Sequence, residues 1–265
     1  MPIEPDVILL LVLAAFAAGF VDAIAGGGGL ITLPALVMAG LSPVEAIATN
    51  KFQGTFGVAT ASFTFWRAGE LEIKALVPAV IATLIGAMLG SLTVLAIDPA
   101  WLSGVLPVLL IAVATYFAFA PSLVRGAEST TPRIRLCVLA PALGAAIGFY
   151  DGFFGPGTGS FFLLGFVALG GLGLVKATAS AKFLNFVSNI SSFAVFAATG
   201  HILFAVGLAM AAGQITGARL GARAALKGGA RLIRPLVVIV TLLIALKLLV
   251  DPANPAGEWL RKILT

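Results

Sequence analysis

Apolar residues run along this chain in long blocks separated by short polar stretches. Residues 7–25 form an apolar block of 19 residues, and 75–97, 101–120, 136–154, 177–199, 202–226 and 236–250 are comparable. A 19-residue helix rises about 28 Å, close to the ~30 Å of a bilayer's hydrocarbon core. Two blocks are shorter. Residues 30–40 hold 11 residues with Pro34 inside, and 160–169 is similar. Each follows a glycine-rich break within apolar sequence. The first is Gly19-Phe20-Val21-Asp22-Ala23-Ile24-Ala25-Gly26-Gly27-Gly28-Gly29. The second runs from Gly148 to Gly159 through Tyr150-Asp151 and Gly155-Pro156-Gly157-Thr158-Gly159. Backbone at membrane depth cannot be irregular against lipid, because its N–H and C=O groups would lack partners. Such breaks therefore point to buried backbone or a cavity, and a matched pair to a transporter-like site between two repeats.

Local signals sharpen the boundaries. Ser42-Pro43-Val44-Glu45 reads as a helix start, with Ser at the N-cap, Pro at N1 and Glu at N3. That helix runs to Trp66, and the polar turn 67–74 follows. Residues 121–135 form the longest polar connection, Gly200-His201 a turn, and 227–234 a basic connection before the last block. The tail 251–265 is polar and is placed at the interface.

The order of features repeats. Asp22 aligns with Asp151 at an offset of 129, and Lys51-Phe52 with Lys182-Phe183 at 131. Gly86/Gly90 aligns with Gly217/Gly221 and Gly69 with Gly200, both at 131. An internal duplication is the expectation, with residues 1–125 as the first transmembrane repeat and 126–265 as the second.

Composition agrees with the pattern. Of 265 residues, 60% are hydrophobic and 10% charged, with mean hydropathy +1.11; a soluble domain carries about 25% charged residues. The fold class expected is an all-α integral membrane protein of two inverted repeats, each with about five transmembrane segments, some short or broken. The net charge of +5 forms no basic patch with interleaved aromatics, so nucleic acid is not an expected partner. With five crossings per half, Arg67, Lys74, Arg125, Arg133, Arg135, Lys176, Arg223, Lys227, Arg231 and Arg234 fall on one side. The positive-inside rule makes that side cytoplasmic and the N-terminus extracytoplasmic. The first six residues hold no Lys or Arg, so the first block reads as a retained helix and not a signal peptide. The single cysteine, Cys137, excludes an intrachain disulfide.

The residues that change this picture are the charged ones inside apolar blocks. A Lys at the centre of a membrane helix costs roughly 2.5–3.5 kcal/mol to insert, so Lys51 and Lys182 should face an interior site. Thr49 and Asn50 accompany the first. Ser180 accompanies the second, with Asn185 and Asn189 on the helical face of Lys182. That cluster suits an oxyanion. Gly27, Gly28 and Gly29 open one short segment, and Gly157 and Thr158 the other. Free N–H groups and the positive dipole end at a helix start attract anions. Three readings stay open for Asp22 and Asp151: pairing with an intramembrane lysine, capping a helix start, or relaying protons. Lys51→Ala and Lys182→Ala are each expected to leave the protein folded while reducing transport, because a desolvated charge is removed.

Other chemistry finds no support. An intramembrane aspartyl protease needs a Gly-x-Gly-Asp partner, and Gly19-Phe20-Val21-Asp22 has the wrong spacing. No Walker A, Rossmann or zinc motif occurs, so no enzyme activity, metal or cofactor is expected. Gly86/Gly90 and Gly217/Gly221 read as small-xxx-small packing faces.

On Gly19–Asp22 with Gly26–Gly29, Ala48-Thr49-Asn50-Lys51, Gly148–Gly159 and Ser180-Ala181-Lys182, the chain resembles the sulfite exporter TauE/SafE family, in its branch of uncharacterised inner-membrane permeases. The resemblance covers about residues 7–250. It implies a bacterial inner-membrane secondary transporter for sulfite, organosulfonates or related small sulfur-containing anions. An anion channel, or a carrier for a non-sulfur organic anion, is the alternative. The halves are unequal, with Asn50 matched by Ala181 and Gly27 by Pro156. The partners expected are a small oxyanion and the bilayer; proton coupling and a homo-oligomer stay open.

Overall fold

The computed structural model describes residues 4–98, 102, 112 and 136–250. Among them all regular structure is helical, in eight segments: α1 (Pro5–Ala25), α2 (Gly29–Met38), α3 (Pro43–Arg67), α4 (Ile73–Leu95), α5 (Leu136–Phe153), α6 (Thr158–Ala168), α7 (Leu174–Thr199) and α8 (Phe204–Val250). The expected segment 101–120, the connection 121–135 and the tail 251–265 lie outside the described residues.

The start of α3 forms as its sequence predicts. Ser42 Oγ accepts the Glu45 N–H, and the Glu45 carboxylate accepts the Ser42 N–H at 3.0 Å, a reciprocal cap. One expected boundary is absent. Residues 227–234 are not a connection, because the backbone stays helical from Phe204 to Val250. Lys, Arg, Ala and Leu in this stretch are good helix formers; only Gly228, Gly229 and Pro235 oppose it. A 47-residue helix rises about 70 Å, more than twice the core of a bilayer. Only part of α8 can lie within one.

Helices of the first half pack on helices of the second. α1 lies along α8, α4 along α5, and α3 crosses α7. The first two pairings depend on absent side chains. A Cβ on Gly90 of α4 would strike the Phe149 carbonyl oxygen of α5, and one on Gly217 of α8 the Phe16 carbonyl oxygen of α1. Gly86 against Ala145 and Gly221 against Phe20 repeat the arrangement one turn away. These are the small-residue faces read from the sequence, and backbone-to-backbone approach is what they permit. Two apolar cores flank the centre, one around Ile47, Phe154 and Phe196, the other around Ile24, Phe162 and Leu184. Each draws on both halves, so neither half buries its core alone.

Burial is reversed relative to a water-soluble fold. Leu10 (64% exposed), Ile81 (58%) and Leu208 (62%) face outward, while Lys51, Lys182 and Asp151 are each 1% exposed. Large apolar side chains outside and charges inside suit hydrocarbon as the surrounding medium. Three described helices, α1, α4 and α7, are long and apolar enough to span a bilayer.

Gly90→Val and Gly217→Val should each push two backbones apart. The expected cost is at or above the upper end of core overpacking, about 3 kcal/mol. It would be read as a lowered melting temperature and loss of monodisperse protein. Gly173→Ala, at an open position with φ −58, should leave both unchanged.

Candidate functional site

The two glycine-rich breaks meet at the centre of the bundle. Ser160 Oγ donates to the Ala25 carbonyl at 2.8 Å, joining the second break to the first. Gly26 (φ 84) and Gly155 (φ 98) turn the chain through the left-handed region at matching positions. A Cβ at Gly26 would collide with the Ser160 N–H, so glycine is needed there twice over. α2 and α6, of 10 and 11 residues, start from these turns. Each rises about 15 Å, half of a bilayer core. Their N-termini both open onto the centre.

Charge is balanced across the halves. Lys51 Nζ of α3 lies 2.7 Å from Asp151 Oδ1 of α5, and Lys182 Nζ of α7 lies 2.8 Å from Asp22 Oδ2 of α1. Each aspartate also serves a helix start. Asp22 Oδ1 accepts the Gly28 N–H at 3.0 Å, ahead of α2. Asp151 Oδ1 accepts the Thr158 hydroxyl at 2.6 Å, at the first residue of α6, and Oδ2 accepts the Asn189 amide at 3.3 Å. Of the three readings open for these acids, pairing with a lysine holds for both, and Asp22 also accepts a backbone N–H at a helix start, whereas Asp151 meets α6 through the Thr158 hydroxyl. The pairing explains two more glycines. A Cβ on Gly155 would stand 2.7 Å from Lys51 Nζ, and one on Gly159 2.5 Å from Lys182 Nζ. The ammonium groups pack against bare backbone.

Between these pairs lies a polar cavity of about 30 Å³, enough to hold water. Asp22, Gly28, Gly29, Asn50, Lys51, Asp151, Gly157, Thr158 and Asn185 line it. Four expected site residues do not. Thr49 is turned away, its hydroxyl accepting the Leu203 N–H at 3.1 Å just ahead of α8. Ser180 is buried away from the cavity, and Gly27 forms the turn behind it. Lys182 is screened from the cavity by Gly159 and Asp22.

The amides are oriented by their neighbours. Asn50 Oδ1 accepts from Thr32 at 2.6 Å and from Gln53 at 2.9 Å, which leaves its NH₂ beside Gly29. Asn185 Oδ1 accepts from Asn189 at 2.9 Å, which leaves its NH₂ beside Gly159. Each NH₂ thus sits at the start of a short helix, a donor arrangement suited to an anion. Gln53 and Gln214 also line the cavity, and their Oε1 atoms are buried without a partner. Gln214 escaped the sequence reading; its signal was a lone amide in the small-residue face of α8.

The pairs overturn one expectation. Lys51→Ala does not simply remove a desolvated charge; it strands the buried Asp151.

A buried, charge-balanced site at paired helix breaks, inside a bundle with an apolar exterior, belongs to a membrane transporter. The chain is a member of the sulfite exporter TauE/SafE family, whose model matches residues 11–248. It is 47% identical over 250 residues to the probable membrane transporter protein ORF9 of Sinorhizobium sp., covering 94% of this chain and 95% of that one. A probable membrane transporter protein of Haemophilus influenzae is 43% identical over 251 residues, with 95% and 98% coverage. The probable membrane transporter protein YfcA of Escherichia coli K12 is 43% identical over 249 residues, with 94% and 92% coverage. No solved structure matches the chain.

Breaking a buried pair by removing one partner costs about 3–5 kcal/mol, whereas replacing both by apolar residues is often neutral. Lys51→Ala should therefore destabilise the protein by roughly that amount in chemical denaturation, and Lys51→Met with Asp151→Leu should recover most of it. Equal stability of Lys51→Ala and wild type would show that the pair does not form.

Proposed function

We propose that this protein is a secondary permease for small sulfur-containing oxyanions, such as sulfite or organosulfonates, in the bacterial inner membrane. The observation that carries the reading is the convergence of two helix N-termini, two amide NH₂ groups and Lys51 on one polar cavity, with Lys182 behind Asp22. Dipole ends and amides are the groups that replace an anion's hydration shell. The family's description as sulfite exporters supports the sulfur chemistry. The cavity is small, about 30 Å³, and sulfite has four heavy atoms, so in this reading side chains move to admit it. That suits alternating access around a central site.

The same reading includes two inverted repeats, 1–125 and 126–265, with the N-terminus outside. The exchange of partners between halves supports it: α1 on α8 against α4 on α5, and Lys51–Asp151 against Asp22–Lys182.

Purified protein in proteoliposomes should take up radiolabelled sulfite with saturation, competed by methanesulfonate. Lys74→Ala, at an exposed position, should match wild type, and Lys182→Ala should lose most uptake. Unsaturable, ohmic flux would identify a channel, and competition by carboxylates alone would refute the sulfur assignment.

Topology is tested separately. Gly69→Cys and Gly200→Cys, both exposed in helix-ending turns, should react from opposite membrane faces. An impermeant thiol reagent on whole cells, applied in a Cys137→Ala background, should label the second and miss the first. Labelling of both from one side removes the inversion.

A further inference from the structure

The site is electrically neutral before any substrate arrives. Two ammonium groups stand against two carboxylates, and both pairs are closed at 2.7 and 2.8 Å. An anion entering alone would leave a desolvated site one charge negative, which a low-dielectric interior opposes strongly. An anion entering with one proton leaves it neutral. The two aspartates differ in exposure and in partners. Asp151 is 2% exposed at its side chain and is held by Lys51, Thr158 and Asn189. Asp22 is 14% exposed and is held by Lys182 and one backbone N–H. Asp22 also stands between the cavity and Lys182, so its movement is what opens the second ammonium to a ligand.

We propose that Asp22 is the proton-binding carboxylate of this permease, and that one proton accompanies each anion while the anion takes the place of Asp22 on Lys182. The inference rests on the anion-permease reading above. The balance is simple: the Asp22 carboxylate gains a proton (H⁺) from the bulk solution on the side the anion enters, its ion pair with Lys182 opens, the anion's charge replaces the carboxylate's, and the proton is released with the anion on the other side. No covalent bond changes other than the O–H. The cavity beside Asp22 has room for one water, and the unpartnered Gln53 and Gln214 oxygens would accept its hydrogen bonds. The charged groups that face Asp22 are few. Lys182 comes from α7, and Lys51 and Asp151 lie across the cavity on α3 and α5. α2 and α6 carry no charge. α8 brings the neutral Gln214 and the exposed Arg219 and Arg223, none of them ion-paired with Asp22 among the described residues. A consequence is that transport of a monoanion moves no net charge.

The test uses methanesulfonate, which stays ionised throughout the neutral range and so carries no proton of its own. Proteoliposomes with a trapped pH dye receive an inward gradient of the radiolabelled anion. Wild type should acidify the lumen by one proton per anion taken up, and Asp22→Asn should bring that ratio close to zero. Uptake without acidification in wild type, or an unchanged ratio in Asp22→Asn, overturns the proposal. No uptake of methanesulfonate or of sulfite by wild type overturns the sulfur-anion reading and the coupling with it. A second readout does not depend on flux through the variant. Infrared difference spectra on adding methanesulfonate to purified wild type should show a protonated-carboxyl band. That band should vanish in Asp22→Asn and persist in Asp151→Asn; the reverse result refutes the role of Asp22.

Discussion

Two ion pairs, one buried and one partly buried, each reaching from one half of the chain to the other, are the constraint on which the centre of this protein depends. A lysine in a membrane interior must find an anion or a cavity. Here Lys51 reaches Asp151 and Lys182 reaches Asp22. Such pairs gain little net stability over apolar packing, because desolvation offsets most of the attraction. Their value lies in register. A helix displaced by one residue would turn its charge about 100° away from its partner. The pairs therefore specify how α3 meets α5 and how α7 meets α1, more than they strengthen the bundle.

Glycine serves this arrangement in two distinct ways. Along α4, α5 and α8 it removes side chains so that backbones of opposite halves touch, as at Gly90 with Phe149 and Gly217 with Phe16. In the breaks it removes side chains so that ammonium groups touch backbone, as at Gly155 and Gly159. The first use sets helix spacing, and the second sets where charge sits. Both follow from a fold in which helix contacts gain nothing from the hydrophobic effect and rely on close approach.

The centre is polar and small, and its donors are oriented before a ligand enters. Asn50 is aimed by Thr32 and Gln53, and Asn185 by Asn189. Preorganised dipoles of this kind discriminate an anion by geometry at little reorganisation cost. The halves are unequal in detail. Tyr150 donates to the Pro156 carbonyl at 2.5 Å and straps the second break, whereas valine stands at the corresponding position, Val21, in the first. The first break, with Asp22, is the looser of the two.

Much of this was legible along the chain. Apolar block length marked α1, α4 and α7 as long enough to span, the Ser42–Glu45 box placed the start of α3, and intramembrane charge singled out Lys51, Lys182, Asp22 and Asp151. Those inferences rest on local physics: a helix's rise, a cap's hydrogen bonds and the cost of burying a charge. Which aspartate meets which lysine was not legible, because the partners lie 100 and 160 residues apart and only the packing of the whole bundle, with α3 against α7 and α8 and α7 against α4 and α5, brings them together. For the same reason Thr49 and Ser180, adjacent in sequence to the polar cluster, turned out to face elsewhere: a helix directs neighbouring residues about 100° apart, and the tertiary structure decides which direction is the cavity. The sequence reading divided the last two apolar blocks at residues 227–234, where α8 continues, since glycine, proline and charge there weaken a helix without forbidding one. Segment length and charge cost belong to the sequence; pairing, cavity and orientation belong to the packed bundle, because they depend on distances between residues that no local spacing encodes.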